Sequence, residues 1–218
     1  MIDAQLITSN LKYLVYTAVI SILYLFPHHS FAAPLWYAGG SLGFTHYDSN
    51  GIETDLAERQ VPGSSALEDD KIPWHVFVGY QHNRYLAFEF GYQYLDRLRG
   101  TTVLDSQPTV SAETSRETDG FMLGINGILP INEKYTVQAM GGIYLWHIVT
   151  AVNSLSGGGA IAINFDDRTS ESYKGLGIQY ALDGNNTFHA RWLDFNINNS
   201  HANILNIGFT HVFLDMSK

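Results

Sequence analysis

The sequence predicts an all-β protein: an eight-stranded antiparallel up-and-down β-barrel that crosses a membrane as strands, after a cleaved signal peptide. Three observations carry this reading. Segments about as long as a tilted transmembrane strand alternate apolar residues with small or polar ones at a period of two. The connections between them alternate between tight turns and long polar stretches. After the N-terminal region no apolar run approaches the roughly 20 residues of a spanning helix, and a closed barrel is the other structure that satisfies its backbone in lipid.

The N-terminus sets the compartment. Lys12 gives a positive start, Leu14 to Phe26 is an apolar stretch too short to span as a helix, and Ser30-Phe31-Ala32 offers small residues before a cut. Cleavage after Ala32 is expected, dividing the chain into a signal peptide, 1–32, and a barrel domain, 33–218. The absence of cysteine removes any disulfide framework from this secreted chain. A net charge of −9 argues against nucleic acid as a partner, because phosphate binding needs a basic face. A soluble sandwich is disfavoured too: with charged residues at 15%, its solvent face would be dominated by Gly, Ala and Ser.

Eight segments fit the strand template. Trp36 to His46 turns Trp36, Leu42 and Phe44 outward and Gly39, Ser41 and Gly43 inward. Pro73 to Gln81 presents Trp74, Val76, Val78 and Tyr80 to lipid. Tyr85 to Leu95 is the most regular, with Leu86, Phe88, Phe90, Tyr92 and Tyr94 outward against Ala87, Glu89, Gly91 and Gln93. Gly120 to Leu129 puts Phe121, Leu123, Ile125 and Leu129 outward and Gly120, Gly124 and Asn126 inward. In Val137 to His147 the expected outward set is Met140, Gly142, Tyr144 and Trp146. Tyr173 to Leu182 faces lipid with Leu176, Ile178, Tyr180 and Leu182, and the lumen with Gly175, Gly177 and Gln179. Thr187 to Ile197 is irregular. Asn203 to Phe213 closes the set with Leu205, Ile207, Phe209 and Phe213 outward and Asn206, Gly208 and Thr210 inward. The lipid-facing aromatics are thus expected to be Trp36, Trp74, Tyr80, Phe88, Phe90, Tyr92, Tyr94 and Trp146.

Tight turns at His82-Asn83-Arg84, Pro130 to Lys134 and Asp183 to Asn186 carry the expected Asn, Asp, Gly and Pro chemistry. They belong on the periplasmic side, with long loops at Tyr47–Lys71, Asp96–Glu117 and Val149–Ser172 and a shorter one at Asn198–Ala202 facing outward.

Gly79-Tyr80-Gln81, Phe88-Glu89-Phe90-Gly91-Tyr92 and Leu95 resemble the strand–turn–strand core of the transmembrane domain of the OmpA family. The likeness runs on through Ala33-Pro34, Trp36-Tyr37 and Leu42-Gly43, through Leu129-Pro130-Ile131, and through Met140-Gly141-Gly142 with Trp146. It ends at Leu205-Asn206-Ile207-Gly208-Phe209-Thr210 and Phe213, similar to the closing strand that the barrel-assembly machinery reads. The resemblance implies a bacterial outer-membrane location among lipids and lipopolysaccharide, and an assembly signal at Asn206, Gly208, Phe209, His211 and Phe213. His211 stands where that family usually has an aromatic, which weakens the signal. The family's longer members add a peptidoglycan-binding domain, which is not expected of this chain.

A narrow barrel is filled by its own side chains. The polar lumen cluster is expected at Glu89, Arg191, Asn126, Gln179 and Ser41. The resemblance implies Arg191 as partner of Glu89, yet aligning Leu193-Asp194-Phe195 with the family's pattern turns Asp194 and Asn196 inward. Arg191 then falls out of phase unless a β-bulge sits near Trp192. Asn126 and Gln179 stand where the family has charges, so a salt-bridge-exchanging gate is not expected to conduct.

No metal, cofactor or catalytic group is expected. His46, His75, His82, His147, His189, His201 and His211 are scattered rather than spaced as ligands, and the adjacent Ser200 and His201 face opposite ways on a strand. Residues 47–71 carry a local net charge of −5, the most distinctive exposed feature. A structural, monomeric envelope barrel is therefore the first expectation. A surface adhesin binding an extracellular ligand through the acidic loop 48–70 is the alternative, ahead of a small gated pore or a lipid-modifying enzyme.

Overall fold

A computed structural model describes residues 35–47, 63–69, 72–104, 111–154, 162–197 and 200–215. Among these lie nine strands: β1 (Leu35–Tyr47), β2 (Gly63–Asp69), β3 (Trp74–Asn83), β4 (Leu86–Leu104), β5 (Ser111–Pro130), β6 (Tyr135–Ser154), β7 (Ala162–Ala181), β8 (Asn186–Ile197) and β9 (Ser200–Asp215). All pairings are antiparallel, and the order β4-β3-β1-β9-β8-β7-β6-β5 closes through a β4–β5 ladder into an eight-stranded barrel. Partners followed from Tyr94 through Trp74, Leu42 and Ile207 round to β5 lead back to β4 near its turn, well below the start. That stagger is what tilted, closed strands require.

Lipid explains the outer face. Leu42, Phe44, Val76, Phe88, Phe90, Phe121, Leu123, Ile125, Leu176, Ile178, Ile207 and Phe213 are all exposed, inverting a soluble protein. Aromatic pairs gather near the turns, with Trp36 against Tyr80 at 5.1 Å and Tyr135 against Tyr180 at 5.1 Å, the depth at which amphipathic rings bridge acyl chains and water. Three short connections join β3–β4, β5–β6 and β7–β8 at this end.

The β7–β8 turn is held by one carboxylate. Asp183 accepts the amides of Asn185 and Asn186, each at 2.8 Å, and the Asn186 side chain. The Asn186 side chain first, and the Asn185 amide next, hold its pKa below the usual carboxylate range. A depressed folded pKa gives stability that is present above the unfolded value and lost as pH falls through the folded one. The urea-midpoint difference between wild type and Asp183→Asn is therefore expected at neutral pH and should close in acid. A difference that does not change with pH would show that the charge contributes nothing.

Three expectations change. The stretches read as the second and third long loops are mostly strand: β4 and β5 pair up to Val103↔Ser111, and β6 and β7 up to Asn153↔Ala162. Residues 63–69, inside the expected first loop, form β2 on the upper part of β4. Thr101, Thr102, Val103, Val149, Thr150 and Val152 supply the β-branched side chains that favour extended backbone. Water on the outer face there removes the apolar alternation. β9 starts at Ser200, inside the expected short loop.

The second change is the phase of β6. Gln138, Met140, Tyr144, Trp146 and Ile148 face the lumen, whereas Ile143, Leu145 and Val149 face out. Trp146 is 4% exposed, so it is not a lipid-facing aromatic. The cause is volume. β6 lies beside the inward glycines of β5, Gly120 and Gly124; the Tyr144 ring fills the space at Gly120, where a Cβ would stand 2.8 Å from it, and Tyr173 of β7 fills that at Gly124. Tyr94 is the third change. It is buried at 8%, stacked on Trp74 at 5.9 Å, just before a bulge between Tyr94 and Asp96 that turns Leu95 into the interior.

Candidate functional site

The lumen buries a pair of opposite charges in direct contact. Glu89 stands on the inward face of β4, and Arg191 on the inward face of β8, with 7% and 1% exposure. In the barrel order, three strands separate β4 from β8 on either side, so the two side chains meet across the full diameter. Arg191 Nη1 donates to Glu89 Oε2 at 2.9 Å and Nη2 to Oε1 at 2.8 Å, a bidentate fork. The Tyr37 hydroxyl of β1 adds a third bond to Oε1 at 2.9 Å. The guanidinium lies 4.5 Å over the Phe77 ring, a cation–π contact in a site without competing solvent.

This arrangement corrects the register of Thr187 to Ile197. β8 pairs without a bulge from Thr187 to Phe195 on β7 and from Asn186 to Ile197 on β9. Arg191 is therefore in phase with His189, Leu193 and Phe195, all buried, and Asp194 and Asn196 turn outward. The inward leucine and phenylalanine fix the phase, because a charged residue follows wherever the apolar filling goes. Asp194 ends on the outside, 3.3 Å from Lys174 Nζ and 3.3 Å from His201 Nδ1.

The other expected lumen groups divide. Ser41 and Asn126 are buried in the lumen, while Gln179 sits nearer the periplasmic turns, half-buried. His75 and His189 flank Phe77, with ring centroids 5.0 and 5.7 Å from it, and Gln138, Gln93, Asn206 and Thr210 are buried as well. Tyr37, His75, Phe77 and His189 are the residues that sequence reading passed over. For Tyr37, His75 and Phe77 the signal was parity, since each falls on the inward register of a strand whose outward register had been assigned; His189 had none, because its strand had no assigned outward register.

Further from the turns the lumen becomes apolar. Leu95, Met122, Tyr144, Trp146, Tyr173, Leu193, Phe195 and Ile204 form one buried cluster. Phe195 packs edge-on against Tyr144 at 4.9 Å and stacks on Tyr173 at 5.6 Å. Two hydrogen bonds tie this layer across the barrel, from Tyr144 Oη to the Gln93 carbonyl at 3.3 Å and from Thr45 Oγ1 to the Leu95 carbonyl at 3.0 Å.

Of the expected assembly signal, Phe209, His211 and Phe213 point outward along β9, and Asn206 is buried. His211 Nδ1 lies 2.8 Å from the Asn186 side-chain oxygen. Trp36, Trp74, Tyr80, Phe88, Phe90 and Tyr92 lie on the outward register. In the acidic loop, residues 48–62, 70 and 71 fall outside the described part, as do residues 1–34.

An apolar exterior, short turns at one end, extended strands at the other and a self-filled interior define an eight-stranded barrel of the bacterial outer membrane. The chain matches the OmpA-like transmembrane domain over residues 32–212 and belongs to that family. It is 26% identical to outer membrane protein A of Shigella flexneri over 149 residues, covering 67% of this chain and 37% of that protein. A shorter match to the Serratia marcescens protein of the same name is 35% identical over 63 residues, 29% of this chain and 17% of that one. The chain thus spans little more than a third of the Shigella relative. Among solved structures, Ail, the attachment invasion locus protein of Yersinia pestis, aligns over 84% of this chain and 100% of its own, with 10% identity and a TM-score of 0.48. The N-terminal β-barrel domain of Pseudomonas aeruginosa OprF covers 82% and 97%, with 9% identity and a TM-score of 0.43.

Proposed function

We propose that this chain is a non-conducting, monomeric structural barrel that contributes to the integrity of the outer membrane and displays strands on the cell surface. The observation that carries the reading is the Glu89–Arg191 pair bonded across the lumen diameter, roofed by the Tyr144–Phe195 cluster. A narrow barrel doubly filled in this way leaves no continuous water path for ions. Asn126 stands where the resembled family carries a charge, which removes one alternative partner of Glu89. Planar-bilayer recordings of the reconstituted chain are expected to show no discrete openings, while a deletion strain should leak periplasmic contents. Openings that disappear in Glu89→Ala would overturn the non-conducting reading.

In this reading residues 1–32 are removed on export, the barrel-assembly machinery reads the strand ending at Phe213, and lipopolysaccharide surrounds the apolar belt. Mass spectrometry of outer-membrane material should find Ala33 as the first residue. A mature N-terminus elsewhere would move the cleavage site.

A second reading, a surface adhesin, is favoured by one feature: β2 and the upper parts of β4, β5, β6 and β7 form a sheet beyond the lipid-facing belt. Deleting residues 48–70 should then abolish binding of an extracellular ligand while the barrel still migrates faster unboiled. Retained binding would remove the acidic loop from the ligand site.

A further inference from the structure

Above the belt the described strands leave one side of β7 unpaired. β7 pairs with β6 over its whole length, up to Asn153↔Ala162, but its pairing with β8 ends at Tyr173↔Phe195. The Ala181 amide bonds to the Lys134 carbonyl on the β6 side, and Leu182 bonds to Asn186 on the β8 side. The ladder of β7 has no bulge, so even-numbered residues turn their backbone groups away from β6 throughout. Asn164, Asp166, Arg168 and Ser170 therefore present a row of N–H and C=O groups with no strand beside it among the described residues, and all four are exposed. Proteins usually blunt such an edge with proline, a bulge or a covering segment. Among the described residues Asp166 stands over it, 3.3 Å from Arg168 Nε and 3.0 Å from His147 Nε2, and such exposed pairs are weak barriers.

We propose that the outer edge of β7, from Asn164 to Ser170, is a docking site where an extended basic segment of a different polypeptide adds as an antiparallel strand. A second copy of this chain does not fit. The open edges among the described residues are β2, β7 and the top of β1, whose pairing with β3 ends at Leu42 while its pairing with β9 runs on to Tyr47. β4 runs away from the periplasmic turn and β2 antiparallel to it, so β2 runs towards the membrane, as β7 does. Copies in one membrane share that sense, and the one edge that runs the other way, the top of β1, offers only Thr45 and Tyr47 against the four edge residues of β7, with Thr45 already bonded through Oγ1 to the Leu95 carbonyl. The occupant must come with free orientation, as a mobile strand of another protein does. Charge selects its composition. Asp166, Asp167 and Glu171 stand against Arg168 on the outer part of β7, and the whole chain carries −9, so lysine or arginine at alternate positions of the partner is favoured. The inference goes beyond the structural role and does not depend on a sealed lumen.

The test uses the full barrel in lipid nanodiscs and a synthetic peptide of about ten residues alternating lysine with threonine and valine. A second peptide of the same sequence carries N-methyl groups on alternate residues, which removes the donors of one edge and leaves the charge. The first peptide should bind and slow amide exchange at Asn164, Asp166, Arg168 and Ser170. The methylated peptide should bind about tenfold or more weakly, since each lost donor weakens a backbone bond. Ser170→Pro removes a donor that faces away from β6, so it should weaken the first peptide similarly while the protein keeps its heat-modifiable mobility. Equal binding of both peptides would reduce the contact to charge and overturn the proposal. No binding, or slow exchange of these four amides in the free barrel, would overturn it as well, the latter by showing the edge already covered by the chain itself.

Discussion

Arg191→Ala is expected to lower the stability of the barrel by about 3–5 kcal/mol, the cost of leaving a buried carboxylate without its partner. The pair itself is worth far less than that. Bringing Glu89 and Arg191 out of water costs several kcal/mol per ion, and their attraction offsets this because the fork is bidentate and Tyr37 adds a third bond. Removing the guanidinium keeps the cost and loses the compensation. The double variant Glu89→Gln/Arg191→Met, which removes both charges and retains side-chain volume, should therefore be more stable than Arg191→Ala, within about 2 kcal/mol of wild type. Urea titration of the barrel in lipid vesicles, followed by tryptophan fluorescence, measures all three. If the double variant proved as unstable as the single one, the loss would come from packing on Phe77 rather than from the orphaned charge, since the methionine stem does not reproduce the cation–π contact.

That residue also shows where sequence reading reached its limit. Six of the eight barrel strands were legible in phase wherever one face met lipid, because the outward aliphatic and aromatic residues give a period of two. β8 was ambiguous: Phe188, Trp192, Leu193 and Phe195 put large apolar residues on both faces. Only the packing of Leu193 and Phe195 against Tyr144, Tyr173 and Ile204 decides the phase. β6 failed for a related reason. Gly141 and Gly142 erase the alternation at mid-strand, and Tyr144 and Trp146 look like lipid-facing residues until the glycines of β5 are known to lie beside them. The Glu89–Arg191 contact was legible through family resemblance, but its span of the lumen needed the strand order. Strands that continue into water carry polar residues on both faces, so the upper sheet and its open edge had no periodic signature.

Phe195→Ala is the second large effect, about 3–5 kcal/mol, from lost transfer energy together with the cavity left between Tyr144 and Tyr173. Phe195→Leu, which refills most of the volume, should cost about 1.5 kcal/mol or less. Conductance separates the two layers of the lumen more sharply than stability does. They lie in series along the barrel, so emptying one leaves the other in place. Phe195→Ala alone should remain silent in bilayers because the Glu89–Arg191 fork still crosses the diameter below it. Glu89→Ala alone should remain silent because the aromatic cluster stays dry above. Only Phe195→Ala combined with Glu89→Ala should open a measurable path, with the pair acting far from additively, as coupled sites do. If Glu89→Ala by itself conducted, the apolar layer would not be a barrier and the salt bridge alone would hold the barrel shut. If the combined variant stayed silent while folded, the residual lumen side chains, His75, His189 and Gln93 among them, would be packed tightly enough to exclude ions without either layer.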